Sequence, residues 1–138
     1  MNKKAWLSIL IALLALRHPA SAQTAVVVIG HAGIDKIDAV TVQKVFTGRV
    51  VELGGVALTP INASAGSATR LRFLQAFLNQ DEDKYVAYWT VRRYIGKGVP
   101  PKELASASDV IRFVQSTPGA IGYVEQSDLV PGLNVLTR

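Results

Sequence analysis

Gly66-Ser67-Ala68-Thr69-Arg70 is the run in this chain whose residue types best suit the binding of a charged group. An apolar stretch, Val56 to Ile61, precedes it and predicts a strand. Leu71, Leu74 and Leu78, with Phe73 and Phe77 beside them, follow at helical spacing and predict a helix over Ser67 to Leu78. A strand, a loop of small residues and a helix N-terminus make an anion site, because the first-turn N–H groups have no intrahelical partner. Ser67 and Thr69 add hydroxyls, Gly66 allows close backbone approach, and Arg70 and Arg72 bring charge. Ser67 also suits a plain N-cap, and these residues alone leave both readings open.

Other chemistry finds little support. Without the leader described below, the chain has one histidine, His31, with Asp35 and Asp38 nearby, and metal sites ordinarily use several His, Cys or clustered carboxylates. A loop histidine after a strand reads as solvated. Ser64 is no nucleophile elbow: Asn62 stands where that pattern needs glycine, and no histidine follows it. The Walker and dinucleotide glycine patterns are absent. Gly96-Lys97-Gly98 follows a helix rather than a strand, and Asp81-Glu82-Asp83 reads as a solvated helix start. No catalytic residue, metal site or cofactor is expected.

The elements that must position the loop alternate between strand and helix. Ala25 to Ile29 is a continuous β-branched run, expected to be a strand buried on both faces as in a parallel sheet. Thr41 is a plausible cap for a short helix ending near Gly48. Gly54-Gly55 marks a turn. Glu82 or Asp83 opens a helix carrying Tyr85, Tyr88, Trp89, Arg92 and Arg93, which Gly96 ends. Its aromatics suit either core packing or a platform for a partner. Ser106 and Asp109 resemble a capping box before a helix with Val110, Ile111 and Val114 as its stripe. Ala120 to Val124 and Leu133 to Leu136 read as strands, with Ile121 and Val124 in the middle of the sheet. Alternation of this kind argues for α/β.

The chain is 138 residues long and has no cysteine. Lys3-Lys4, an apolar run from Ala5 to Leu16, a break at Arg17-His18-Pro19 and Ala20-Ser21-Ala22 occur in the order of a secretory signal. The apolar run falls short of the roughly 20 residues that span a bilayer. The expected organisation is therefore a signal peptide over residues 1–22 and one domain over residues 23–138, soluble once the leader is removed. Lys3, Lys4 and Arg17 lie in the leader, so twelve basic residues remain against ten acidic ones and the net charge falls from +5 to +2. That removes the main compositional support for nucleic-acid binding. Without cysteine the domain must stand on its hydrophobic core.

The C-terminal half carries a resemblance. Ala87-Tyr88-Trp89, Gly96-Lys97-Gly98-Val99-Pro100-Pro101-Lys102 and Pro118-Gly119-Ala120-Ile121-Gly122-Tyr123-Val124 resemble segments of small exported proteins of the phosphate ABC-transporter substrate-binding-like group. Val45-Phe46-Thr47-Gly48-Arg49 is similar to that group's helix ending. The resemblance implies one lobe of the type II periplasmic phosphate-binding fold, a three-layer α/β domain with a small, mostly parallel sheet flanked by helices. It implies that Gly66, Ser67, Ala68, Thr69 and Arg70 correspond to the phosphate loop, with Ala68 in place of the second glycine and Ala63 where the full-length proteins carry an arginine. The function it implies is periplasmic binding of a small oxyanion, phosphate first, linked to ABC-type transport and without enzyme activity. The alternative is a protein–protein or accessory module of an envelope system that kept the scaffold without the ligand.

Overall fold

The computed structural model describes residues 25–137, and the expected leader over residues 1–22 lies outside the described residues. Along the chain run β1 (Val26–Gly30), α1 (Ala39–Phe46), β2 (Glu52–Leu53), β3 (Val56–Ala57), β4 (Thr59–Ala63), α2 (Ala68–Phe73), a π-helical turn (Leu74–Leu78), α3 (Glu82–Tyr94), β5 (Lys102–Leu104), α4 (Ala107–Ser116), β6 (Ala120–Glu125) and β7 (Asn134–Thr137). The main sheet has the order β5-β4-β6-β1-β7. β4 is parallel to β5 and β6, whereas β1 is antiparallel to β6 and β7. Only β1 therefore runs against the rest, and the sheet is mostly parallel.

The strand pattern divides the core into two layers. Val26 and Val28 of β1 and Ile121 and Tyr123 of β6 pack with α1, α2 and α3. Val27, Ile29, Ala120 and Val124 pack on the other face with Val110 and Val114 of α4. This is the period-2 alternation of a strand with an apolar layer on each side. It also corrects one expectation: β1 is buried on both faces as its sequence implies, yet it pairs antiparallel with both neighbours. Helices on both faces bury it, not parallel pairing. Ile121 and Val124 are buried in an interior strand, as expected. Gly122 lies between them because a Cβ there would stand 2.8 Å from a methyl of Val110.

Three further expectations change. Val56 to Ile61 is two strands, not one. Gly54 and Gly55, both at positive φ, fold Val56–Ala57 back on Glu52–Leu53, and only from Thr59 does the chain join the main sheet. The cap of α1 is Asp38 rather than Thr41: its Oδ1 accepts from the Thr41 N–H at 2.7 Å. Hydrogen bonding from Thr41 lowers the Asp38 pKa. Leu71 is exposed, whereas Arg70, Phe73, Leu74 and Leu78 are buried, so the inward face of α2 begins with a charged residue. The π-helical turn carries that face to Leu78, and Asn79, in the left-handed conformation, ends it. Phe73 stacks on Tyr123 with ring centroids 3.8 Å apart and meets Phe46 edge-on at 4.7 Å, which ties α1 and α2 to β6.

Candidate functional site

The loop from β4 into α2 is held from below by a buried polar chain. Asn62 is 1 % exposed. Its amide nitrogen donates to the Tyr85 hydroxyl at 3.1 Å, and that hydroxyl donates to the Phe46 carbonyl at 2.9 Å. The Tyr123 hydroxyl donates to Asn62 Oδ1 at 3.1 Å and accepts the Ala63 N–H at 3.0 Å. Each hydroxyl thus has one donor and one acceptor partner, which is what burial of such groups requires. Burial also raises the pKa of both phenols above the usual range.

A pH dependence follows. Tyrosines in the unfolded chain ionise at about pH 10, while Tyr85 and Tyr123 in the native state hold their protons longer. Their contribution is present in full below about pH 10 and is lost as pH rises above it. Unfolding midpoints between about pH 9 and pH 11 should therefore fall less steeply in Tyr123→Phe than in the wild type. Identical slopes would place the alkaline loss in other groups.

Above this floor, Ser67 caps α2, its Oγ accepting the Arg70 N–H at 3.3 Å. Gly66 sits at φ 75°, the left-handed region the turn requires. The Ser67 N–H donates to the Ser64 carbonyl at 3.0 Å and the Ala65 N–H to Glu103 Oε1 at 2.6 Å. The Thr69 hydroxyl donates to Glu125 Oε1 at 3.2 Å, and Arg72 pairs with the same carboxylate. Arg70 is 5 % exposed. Its Nη2 lies 2.7 Å from Glu82 and its Nη1 2.7 Å from Glu103, so the guanidinium is engaged by two carboxylates.

Ser67 and Thr69 face a cavity of about 70 Å³, above the ~10–15 Å³ that one water needs. Ala63, Tyr123, Ser106 and Ala107 also line it. The N-termini of α2 and α4 therefore converge at the carboxyl ends of the parallel strands β4, β5 and β6, the position where open α/β sheets commonly hold ligands. Gly66, Ala68 and Arg70 are not among the cavity's lining residues.

Ser106 lines the same cavity, although nothing in its local sequence places it there. Its capping role is as expected: Oγ accepts from the Asp109 N–H at 3.1 Å. What hid its second position is β5, a three-residue strand of Lys, Glu and Leu that no apolar run announces. With β5 in place, Leu104-Ala105-Ser106-Ala107 repeats the strand–small residue–Ser–Ala–helix order of the first loop. His31 is half-buried rather than solvated: Nδ1 donates to the Val114 carbonyl at 2.9 Å, near the end of α4. Among the described residues no group of three or more His, Cys, Asp or Glu is placed to hold a metal. No described helix is long and apolar enough to cross a membrane.

No protein-family model and no curated protein matches the chain. Solved structures do. A Clostridium perfringens protein described as a phosphate ABC transporter substrate-binding protein with bound phosphate superposes with a TM-score of 0.65 at 15 % identity, over 82 % of this chain and 44 % of its own. An ABC-type phosphate transport receptor from Vibrio cholerae gives 0.63 at 12 %, over 82 % and 45 %. PstS from Borrelia burgdorferi gives 0.62 at 19 %, over 83 % and 47 %. The chain spans less than half the length of each, and the described domain has the fold of about half of a phosphate ABC transporter substrate-binding protein.

Proposed function

We propose that this chain is an exported, single-lobe binding protein for a small oxyanion, phosphate first, working with an ABC-type transporter or another envelope protein. The observation that carries this reading is the convergence of two helix N-termini, with the hydroxyls of Ser67, Thr69 and Ser106, on one cavity at the carboxyl ends of parallel strands. Such ends favour a nearby anion by about 0.3–1 kcal/mol when exposed and up to about 2 when partly buried. Hydrogen bonds to a charged group add about 1.5–3 kcal/mol each. Less the cost of association, three or four contacts give micromolar to millimolar affinity from one wall. Ser67, Thr69 and Ser106, which line the cavity, are assigned to the anion. Gly66 shapes the turn, and Arg70 holds the loop through Glu103.

Ten millimolar phosphate against a millimolar site should stabilise the native state by about 1.4 kcal/mol. That corresponds to a rise of about 5 °C in melting temperature for a domain of this size. Ser67→Ala with Thr69→Ala should lose about 1 kcal/mol of stability through the cap and also lose the phosphate response. A response retained in that variant would move the site elsewhere.

The second reading is an interaction module that kept the scaffold without the ligand. It is favoured by one observation: Glu103 takes the Ala65 N–H and half of the Arg70 fork, and Glu125 takes the Thr69 hydroxyl, so internal carboxylates already use groups an anion would want. Under this reading neither wild type nor variant responds to phosphate.

A further inference from the structure

At the other end of the sheet, where β4 and β5 begin, lies a second concavity of about 310 Å³. Val50, Val51 and Leu58 line it from the chain around the β2–β3 hairpin, and Trp89, Val99 and Pro100 from α3 and the loop after it. Val51 and Val99 are each 67 % exposed. Large apolar side chains grouped in this way on a surface mark a place of contact.

The charged side chains that line this groove have one sign. Lys97 and Lys102 line it, and no carboxylate does. From Lys84 to Lys102 the chain carries five basic residues and no acidic one. Among the described residues, Arg92, Arg93, Lys97 and Lys102 have no carboxylate partner. Arg92 instead lies over the rings of Tyr88 and Trp89, 5.5 and 5.7 Å from their centroids. In a domain expected to carry little net charge, this cluster is a local field seeking anionic groups. Pro100 and Pro101 have no N–H, so these two positions beside the groove offer no donors for strand pairing, which favours recognition through inserted side chains.

We propose that this groove docks an acidic peptide segment of a partner protein, with an apolar side chain inserted against Trp89, Val51 and Val99 and flanking carboxylates on Lys97 and Lys102. The concavity favours a side chain inserted from a partner over a bilayer, which would receive a protruding face. The groove lies away from the Ser67–Ser106 cavity, so the proposal stands whether or not that cavity holds an anion.

A displayed library of short random peptides, selected on the purified protein, tests this. The selected sequences should place Leu, Ile, Phe or Trp between Glu or Asp residues and should bind more weakly as salt rises. Lys97→Glu with Lys102→Glu changes two exposed residues and should leave the melting curve and any phosphate response intact. It should weaken the selected peptides by about tenfold or more and strengthen versions in which the flanking acids are replaced by lysine. Selection of no peptide, or of peptides without acidic flanks, overturns the proposal, as does equal binding to the double variant. Lysine-dependent binding to phosphatidylglycerol vesicles with no peptide selected would make the surface a membrane contact. A concentration-dependent dimer that Val99→Asp disperses would make it a self-interface. Either result would overturn the peptide assignment.

Discussion

Gly119→Ala is expected to destabilise the domain by about 4 kcal/mol or more, at the upper end of what single substitutions do. Two causes add. Gly119 sits at φ 79°, where a side chain costs roughly 1–2 kcal/mol. A Cβ there would also overlap the carbonyl oxygen of Ala57, which is backbone and cannot rotate away. Relief would separate the Gly119 turn from the start of β4, where the Thr59 N–H donates to the Gly119 carbonyl at 2.9 Å. That bond lies next to the Thr59–Ala120 pairing that joins β4 to β6. Gly66→Ala is the control. Its φ is 75° and nothing lies within 4 Å of its would-be Cβ, so it pays the conformational cost alone. Urea unfolding of both variants isolates the overlap as the difference between them. Costs within about 0.5 kcal/mol of each other would show that the turn relaxes freely, because that is the ordinary range for a surface change without a clash.

Gly119 belongs to the segment that was most legible in the sequence. Pro118 to Val124 announces itself because its strand is buried on both faces and its turn needs glycine. The capping Ser106, the end of α3 near Gly96 and the strand character of the first apolar run were legible for similar local reasons. What was not legible depends on partners distant in sequence. β5 exists because β4 lies beside it, and its own residues carry no apolar pattern. β1 looks parallel because burial on both faces, not strand direction, sets its composition. In the candidate site, Ser67 and Thr69 could be read from the loop. Ser106 could not be placed across from them without β5, nor Asn62 and Tyr123 beneath them without the fold. Arg70 could be read as a charge but not as a buried one, since the glutamates that hold it come from 12 and 33 residues away.

Arg70→Met is expected to cost about 3–5 kcal/mol, the range for removing one partner of a buried ion pair. The Arg70 side chain is 6 % exposed, and it joins α2 to Glu82 at the start of α3 and to Glu103 in β5. Without the guanidinium, Glu82, at 21 % exposure, loses its counter-charge. Glu103, at 47 %, still reaches water, which favours the lower part of the range. Arg70→Met with Glu82→Gln and Glu103→Gln removes the uncompensated charge. It should recover most of the loss, since replacing a whole buried ion cluster by neutral groups is often close to neutral. The order of stabilities from urea unfolding is therefore wild type, then the triple variant close below, then Arg70→Met. A single-variant loss under about 1 kcal/mol would mean the pair behaves as a surface contact. The same proteins separate holding the loop from holding the ligand. If Arg70 acts on the anion only through Glu103 and the Ala65 N–H, the triple variant keeps the phosphate-dependent rise in melting temperature, because Gln at position 103 keeps its acceptor oxygen. If the rise vanishes while Ser67 and Thr69 are intact, the guanidinium itself contacts the anion, and binding must first release it from one of its two carboxylates.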